Sequence, residues 1–158
     1  MMAELDLIDR KILAELMRDA TLPIAQIADK AGLSASPCWK RIQRLEALRI
    51  LTGRVALADP VALGFGQTVF VTVQAEDHSA EWRDAFAKTT AQIPEIMEVY
   101  RIAGDTDYML RVAVPDIAAY DALYKRLIDA LPIKKVTSHF AVERMQFTTA
   151  YPVNTLSR

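Results

Sequence analysis

The segment from Ser34 to Glu46 constrains the fold most, because it fits one helix with an apolar face and a cationic face. At about 100° per residue, the apolar face carries Cys38, Ile42 and Leu45. The opposite face carries Ser36, Lys40, Gln43 and Arg44, with Arg41 at its margin. Ser34 suits the N-cap, and Pro37 is tolerated in the first turn, where its missing N–H has no helical partner. Such a helix can pack on a core and offer cations to an anion; the alternative is the solvated face of an ordinary amphipathic helix.

Two helices are predicted upstream of this segment. Residues 5–16 place four apolar side chains on one face and put Asp6 and Asp9 early, where the helix dipole favours anions. A short helix follows Pro23, and Ala31-Gly32-Leu33 forms the turn before Ser34. Three short helices, the last two joined by a glycine-containing turn and the third one basic, are the helix-turn-helix pattern. The pattern favours DNA binding over a generic three-helix bundle.

The charge of the chain is local rather than global. The 158 residues carry a net charge of −1, which excludes a globally basic coat for nucleic acid. From Lys30 to Arg54, however, six Lys or Arg residues face a single acidic residue, Glu46. Phosphate contacts need only one such patch, so double-stranded DNA is the expected macromolecular partner.

The composition of the chain predicts its cellular compartment and whether it holds a metal or cofactor. No apolar run approaches the roughly 20 residues of a membrane span, and the segment Met1–Asp6 is too acidic for a signal peptide. We therefore expect a cytoplasmic protein without a membrane partner. One cysteine cannot form an internal disulfide, and two distant histidines with one cysteine form no metal cluster. No metal and no cofactor are expected beyond a small effector.

The helical pattern of apolar residues ends at Leu48. Residues 50–57 fit a strand or an extended exit, and the segments 58–60 and 64–66 have the Pro and Gly content that is typical of a linker. We predict a DNA-binding domain over residues 1–57, a linker over 58–66 and a second domain over 67–158.

The second domain alternates strand and helix. Strands are predicted over 68–74, 96–103, 108–114 and 136–145, and helices over 80–91 and 117–131. The order βαββαβ is that of the ferredoxin-like arrangement, so the fold class is α+β with helices on one face of an antiparallel sheet. The other face needs a cover, and sheet-on-sheet dimerisation is the natural one. Its candidate residues are Val69, Val71, Val73, Ile102, Met109, Arg111 and Ala113.

The chain resembles the Lrp/AsnC (feast/famine) family of transcription regulators through three segments, Leu5–Leu13, Leu33–Glu46 and Gly104–Val112. The resemblance implies a winged helix-turn-helix and a ferredoxin-like effector domain. It also implies dimers that assemble further, commonly into octamers, and that bind amino acids at clefts between dimers. Effector binding then shifts assembly or DNA affinity. Shorter segments resemble a cysteine-responsive subgroup that regulates a cysteine desulfidase, which makes cysteine a candidate effector: Pro37–Arg41, Glu81-Trp82, Tyr124–Leu127 and Thr148–Pro152.

The chain departs from the family pattern at two places. Arg49 stands where the family usually has the glycine that follows the recognition helix. If Arg49 takes the left-handed C′ conformation, it costs on the order of 1 kcal/mol relative to glycine. The segment Leu131–Lys135 is one residue shorter and lacks the usual glycine, and this loop borders the effector cleft in the family.

Seven residues form the predicted DNA interface: Ser34, Ser36, Pro37, Lys40, Arg41, Gln43 and Arg44. Arg and Gln suit bidentate contacts with base edges, and Lys suits phosphates. We expect Arg44 and Lys40 to carry much of the salt-dependent affinity. Trp39 is expected to pack at the helix flank rather than stack on bases. Cys38 is expected to be a small buried hydrophobe rather than a redox sensor.

The segment Gly104–Tyr108 has the composition of a hairpin turn. In the functional interpretation, its backbone amides bind an effector carboxylate while Asp105 or Asp107 faces the ammonium group. With the resemblance, the predicted effector site comprises Gly104, Asp105, Asp107, Tyr108, Thr137 and Ser138.

Two other classes of function compete with a regulator. A small enzyme could use Asp105 and Asp107 as an acid and base pair. The sequence offers no nucleophile with a base, no metal spacing and no glycine-rich phosphate loop, so no enzymatic activity is predicted. A stand-alone amino-acid-binding module is disfavoured by the helix-turn-helix half.

Overall fold

A computed structural model describes residues 5–155, which form two compact units. One unit spans Leu57–Arg144, and the other contains the chain up to Ala56 together with the chain from Met145 onward. The predicted second domain, 67–158, is therefore wrong for its tail, which packs with the helices of the first unit. The predicted ends at residues 1–4 and 156–158 lie outside the described residues. No helix between residues 5 and 155 is long and apolar enough to cross a bilayer.

The first unit contains the three predicted helices, α1 (Leu7–Arg18), α2 (Ile24–Ala31) and α3 (Ala35–Ala47). Asp6 caps α1, because its carboxylate accepts hydrogen bonds from the backbone N–H groups of Ile8 and Asp9 at 2.9 and 2.8 Å. One face of each helix supplies the core: Ile12, Leu13, Leu16, Ile27, Ala28, Ala31, Cys38, Ile42 and Leu45. The apolar spacing read from the sequence therefore selects the buried face of all three helices.

Left-handed residues end α2 and α3. Gly32 ends α2 with a φ of 77°, which glycine adopts without a steric penalty. Arg49 follows α3 with a φ of 55°, so it takes the left-handed conformation that costs more for arginine than for glycine. The N–H of Arg49 donates to the carbonyl of Glu46 at 3.0 Å, and that of Ile50 donates to Leu45 at 3.0 Å. These two hydrogen bonds form a Schellman motif, which fixes where the chain leaves α3.

No strand forms between Leu48 and Gly66 within the described chain. Of the two alternatives for residues 50–57, the structure has the extended exit. The paired wing that the resemblance implied is thus not formed within residues 5–155. A short hydrogen-bonded turn follows, in which the N–H of Phe65 donates to the carbonyl of Pro60 at 2.7 Å.

The second unit has the predicted order βαββαβ. Its elements are β1 (Gln67–Ala75), α4 (Ala80–Ala91), β2 (Ile96–Arg101), β3 (Tyr108–Val114), α5 (Ile117–Ala130) and β4 (Ile133–Phe140). The strands form one antiparallel sheet in the order β2-β3-β1-β4. Three aromatic rings pack together in the core, with Phe86 centred 5.1 Å from Trp82 and 4.5 Å from Tyr108.

The last strand begins and ends earlier than predicted. The predicted range was 136–145, whereas β4 runs from Ile133 to Phe140. Pro132 and the pair Lys134-Lys135 resembled a loop, but β4 lies at the edge of the sheet, where exposed lysines are common. Only two residues, Leu131 and Pro132, connect α5 to β4.

The predicted open face of the sheet is wrong for the valines of β1. Val69, Val71 and Val73 are almost fully buried in the core beneath the helices. The open face carries their alternating neighbours Phe70, Thr72 and Gln74, because successive side chains of a strand point to opposite faces. On β3, Met109 pairs with Thr72, Arg111 with Phe70 and Ala113 with Thr68, so these three lie on the open face as predicted. Ile102 lies beyond the end of β2.

Candidate DNA interface and effector turn

One side of α3 presents the predicted DNA-contacting residues to solvent. Six of them are exposed: Ser34, Ser36, Pro37, Lys40, Gln43 and Arg44. The side chain of Arg44 is 47% exposed and that of Arg41 is 27% exposed. Ser34 takes the extended N-cap conformation, but its hydroxyl oxygen accepts no hydrogen bond from the backbone of the first turn. The structure therefore brings this predicted set together on one surface of one helix.

Two acidic residues of α1 engage the arginines of that helix. Nη1 of Arg41 lies 2.7 Å from Oδ2 of Asp6 and 2.8 Å from Oδ1 of Asp9. Nη1 of Arg44 lies 3.4 Å from Oδ2 of Asp9. The hydrogen bond from the backbone of Asp9, followed by that from Arg41, lowers the pKa of Asp6. Hydrogen bonds to Asp6 and Asp9 raise the pKa of Arg41, so this guanidinium is committed to contacts within its own unit.

Sequence reasoning placed Arg41 at the margin of the cationic face but missed its acidic partners. The available signal was the spacing of Asp6 and Asp9 in the first turn of α1. That spacing predicts a capping role, and it says nothing about which helix lies across from the two carboxylates. The DNA contact of Arg41 stays a prediction.

Three other cations between Lys30 and Arg54 differ in their ion-pair partners. Lys30 pairs with Glu15 at 2.6 Å, and Arg54 pairs with Glu46 at 2.8 Å. Lys40, by contrast, makes no ion pair with any residue between 5 and 155, and it is exposed beside Arg44 on α3. Lys40 is therefore a cation of α3 whose charge is not offset by an ion pair with the described residues.

Cys38 and Trp39 occupy different environments on α3. Cys38 is fully buried in the helical core, and this burial raises the pKa of its thiol. A buried thiol with a raised pKa is a poor nucleophile, which agrees with the packing role. Trp39 is 41% exposed and lies outside the buried cluster.

The segment between β2 and β3 is a hairpin turn whose backbone is bonded to β1. Gly104 has a φ of 138°, which requires glycine. The N–H of Asp107 donates to the carbonyl of Val73 at 2.9 Å, and Oδ2 of Asp107 accepts from the N–H of Ala75 at 2.9 Å. The side chain of Gln74 also donates to the carbonyl of Asp105. One carboxylate oxygen of Asp107 thus orders the turn.

The other oxygen of Asp107 faces a different environment. Oδ1 lies 3.8 Å from Nδ1 of His78, and the side chain is 32% exposed. Asp105 is exposed at the same turn. Tyr108 is the first residue of β3, and its ring is buried against Phe86 in the core next to the turn.

The two hydroxyl residues predicted on the last strand lie on opposite faces of the sheet. Ser138 pairs with Val71 on the helix-covered face, where its hydroxyl is hydrogen-bonded to that of Tyr120. Burial raises the pKa of Tyr120. Thr137 pairs with Thr72 and shares the open face with it. Thr137 and Ser138 therefore lie on opposite faces of the sheet, and their contact with an effector stays a prediction.

An unpredicted cavity of about 510 Å³ opens at the other end of the sheet. It is lined by the turn within the linker, by the start of β2 with the two residues before it, and by the end of β3: Ala58, Pro60, Leu63, Phe65, Pro94, Glu95, Met97 and Ala113. Oε1 of Glu95 lies 2.8 Å from Arg126, while its buried Oε2 has no hydrogen-bond partner within the described residues. No sequence signal pointed to this cavity because its walls come from segments far apart in the chain.

Two family models match the chain, and the second extends past Arg144 into the tail that groups with the first unit. A family model described as the AsnC-type helix-turn-helix domain matches residues 5–46. A second, described as the Lrp/AsnC ligand binding domain, matches residues 68–151.

Full-length relatives carry the names of regulators. The chain is 45% identical over 150 residues to the DNA-binding transcriptional activator DecR of Escherichia coli K12, covering 94% of this chain and 99% of that protein. It is 42% identical over 153 residues to the glutamate uptake regulatory protein of Zymomonas mobilis, covering 97% and 93%.

Solved structures share the fold over almost the whole chain. An AsnC family transcriptional regulator from Agrobacterium tumefaciens superposes with a TM-score of 0.92 at 48% identity, covering 97% of this chain and 100% of that one. A transcriptional regulator from Neisseria meningitidis in complex with L-Met superposes with a TM-score of 0.90 at 28% identity, covering 96% and 98%.

Proposed function

The chain belongs to the Lrp/AsnC family of DNA-binding transcription regulators, and from that premise we propose which of its residues bind DNA and which bind an effector. Its relatives are regulators and not enzymes. The proposal for DNA is that α3 enters the major groove with Lys40, Gln43 and Arg44 facing the duplex. This proposal depends on one observation: these three side chains are exposed on one surface of α3, while the opposite face of the helix is buried in the core.

We expect the double variant Lys40→Ala and Arg44→Ala to abolish sequence-specific DNA binding while assembly is unchanged. Each phosphate contact that is lost should also flatten the dependence of log affinity on log salt by about 0.9. The measurement is fluorescence anisotropy over a salt series, with a duplex selected by the intact chain from a random-sequence pool.

The matched control removes two cations from the second unit, Lys88→Ala and Lys125→Ala. Both positions are exposed, and the change in net charge is the same. Intact operator affinity in the Lys40 and Arg44 variant, or an equal loss in the control, would remove this face of α3 from the DNA interface.

The proposal for the effector is that a small amino acid binds at the turn 104–107. The ligand-binding family model covers this turn, and a structural relative was solved with L-Met. Oδ2 of Asp107 accepts the hydrogen bond from the backbone of Ala75. Oδ1 faces away from that contact and is suited to the ammonium group of such a ligand. Cysteine is the first candidate, because of the resemblance to the cysteine-responsive subgroup. No cofactor is proposed besides this effector.

Thermal-shift screening against the twenty amino acids identifies the effector, because a ligand that prefers the folded state raises the melting temperature. We expect Asp107→Ala to reduce the shift and to spare DNA binding. Asp107→Asn is the sharper variant, since its amide oxygen can still accept the hydrogen bond from Ala75.

The exposed Asp84→Asn on α4 serves as the control for loss of one carboxylate. An undiminished shift in Asp107→Asn would take this turn out of the effector site.

The proposal for assembly is a homodimer that buries the open faces of two sheets and assembles further, to an octamer as the family resemblance implies. Phe70 and Tyr100 are 39% and 54% exposed on this face. Between them, Nη2 of Arg111 lies 2.5 Å from Oε1 of Glu98, so the central charges are already paired. A two-fold dimer would bind two half-sites separated by whole helical turns of DNA.

A further inference from the structure

We infer that Asp9, a buried carboxylate of α1, is a positioning residue for DNA recognition, because it holds the guanidinium of Arg44 on the DNA-facing side of α3. The inference rests on the proposed DNA contact of Arg44. Asp9 itself lies in a different helix and is fully buried, so it does not meet the duplex.

The two oxygens of Asp9 have different partners. Oδ1 accepts from Nη1 of Arg41 at 2.8 Å, and Oδ2 accepts from Nη1 of Arg44 at 3.4 Å. Oδ2 also accepts from the backbone N–H of Asp6 at 3.3 Å, which closes the capping box of α1. A buried carboxylate is stable only when it is paired and hydrogen-bonded, and these contacts meet that requirement. The carboxylate is thus fixed in place before any DNA arrives.

The two arginines are not equivalent in this cluster. Arg41 is shared by two carboxylates, Asp6 at 2.7 Å and Asp9 at 2.8 Å, and is 27% exposed. Of these two acids, Arg44 contacts Asp9, at the longer distance of 3.4 Å, and its side chain is 47% exposed. Arg41 therefore fastens α3 to α1, whereas Arg44 contacts Asp9 through Nη1 and keeps a more exposed side chain.

A restrained arginine binds with a smaller loss of conformational freedom than a mobile one. An arginine side chain is long and flexible, and its ordering on binding opposes association. A guanidinium has five N–H donors, so one contact with Asp9 does not exhaust its capacity to bind a base edge or a phosphate. The geometry places one end of the fork on Asp9 and leaves Arg44 at the surface that also presents Lys40 and Gln43.

A purely structural role of Asp9 makes a different prediction. If Asp9 only stabilised the packing of α1 on α3, its loss would weaken DNA binding whether or not Arg44 were present. If Asp9 acts through Arg44, its loss has an effect only while Arg44 is present. A double-mutant cycle separates these two cases.

The experiment measures affinity for the selected duplex in the intact chain, Asp9→Asn, Arg44→Ala and the combined variant. We expect Asp9→Asn to weaken binding about tenfold, equivalent to about one step of 1.4 kcal/mol. In the Arg44→Ala background, the same change should alter affinity less than about twofold. A tenfold loss in both backgrounds, no loss, or tighter binding in Asp9→Asn would overturn the inference.

The matched control is Asp6→Asn. Asparagine is as good an N-cap as aspartate, and Asp6 contacts Arg41 but is not the partner of Arg44 in this cluster. Asp6→Asn should therefore leave the affinity within about twofold of that of the intact chain. A loss as large as that in Asp9→Asn would show that acidic charge in α1, and not the hold on Arg44, is what matters.

A second variant keeps the test independent of whether Asp9→Asn folds. Arg44→Lys retains the charge but lacks the planar fork that can hold Asp9 and DNA together. We expect Arg44→Lys to lose most of the affinity that Arg44→Ala loses, whereas affinity like that of the intact chain would overturn the inference. If Arg44→Ala itself binds as well as the intact chain, the proposed DNA contact fails first and the inference falls with it. If Arg44→Ala is weak but Asp9→Asn is not, only the inference fails.

Discussion

At the scale of single residues, Arg49 departs from the family pattern and has a strained backbone conformation. Its φ of 55° belongs to the left-handed region, and no other non-glycine residue of the described chain has a positive φ. The Schellman hydrogen bonds of Arg49 and Ile50 require that conformation. The side chain contributes an exposed cation near the DNA-facing helix at the expense of backbone strain.

We expect Arg49→Gly to raise the free energy of unfolding of the first unit by about 1 kcal/mol, because glycine adopts a positive φ without steric penalty. Urea denaturation followed by circular dichroism measures the change. Arg49→Ala is the control, since it removes the same charge but keeps the strained Cβ. A gain in Arg49→Ala equal to that in Arg49→Gly would assign the effect to charge instead of backbone conformation.

At the scale of elements, the segment that begins at Met145 packs with the first unit and is hydrogen-bonded to α1. The carbonyl of Met17 lies in the last turn of α1, where backbone acceptors lack helical partners. The hydroxyl of Thr149 donates to it at 2.8 Å. A short 3-10 turn, Val153–Thr155, follows in the same unit. The chain that leaves β4 therefore ends on the DNA-binding helices, although its sequence continues the effector domain.

We expect Thr149→Val to lower the free energy of unfolding of the first unit by about 0.5 to 1 kcal/mol, the usual net value of one exposed hydrogen bond. Thr149→Ser keeps the hydroxyl and should restore most of the loss. Chemical denaturation of the three proteins in parallel decides the point. Equal stability of the valine variant and the intact chain would show that this hydrogen bond does not hold the tail.

At the scale of the whole molecule, the open sheet face is the surface that a single chain leaves uncovered. Helices α4 and α5 contribute Trp82, Phe86, Tyr120, Leu123 and Leu127 to the core on one side of the sheet. On the other side, Phe70 and Tyr100 stay exposed around the ion pair of Glu98 and Arg111. A mixed apolar and charge-paired surface of this kind suits a self-complementary two-fold interface.

We expect Phe70→Glu to convert the proposed dimer to a monomer at micromolar concentration, because two carboxylates would be buried near the two-fold axis without partners. Multi-angle light scattering after gel filtration measures the mass. Ile117→Glu is the control, since Ile117 is 68% exposed at the start of α5 on the helix-covered side. A dimer that persists in Phe70→Glu would place the interface elsewhere.

The sequence by itself determined the order and type of the elements. It predicted α4 and β3 with the bounds that the structure has, Ala80–Ala91 and Tyr108–Val114. It also predicted the buried face of α3, and it singled out Arg49 as the residue at the position where the family usually has glycine. Each of these depends on residues within one or two turns of each other, so periodicity and capping are sufficient to specify them.

Only the tertiary structure decided which groups meet across the chain. Alternation shows that Val69, Val71 and Val73 share a face, but the packing of two helices decides that this face is the covered one. In the same way, Arg41 and Asp9 are 32 residues apart, and Thr149 and Met17 are 132 apart. Contacts at such separations form only when the fold brings distant segments together, because no local propensity specifies which partner a charged or hydroxyl side chain will find.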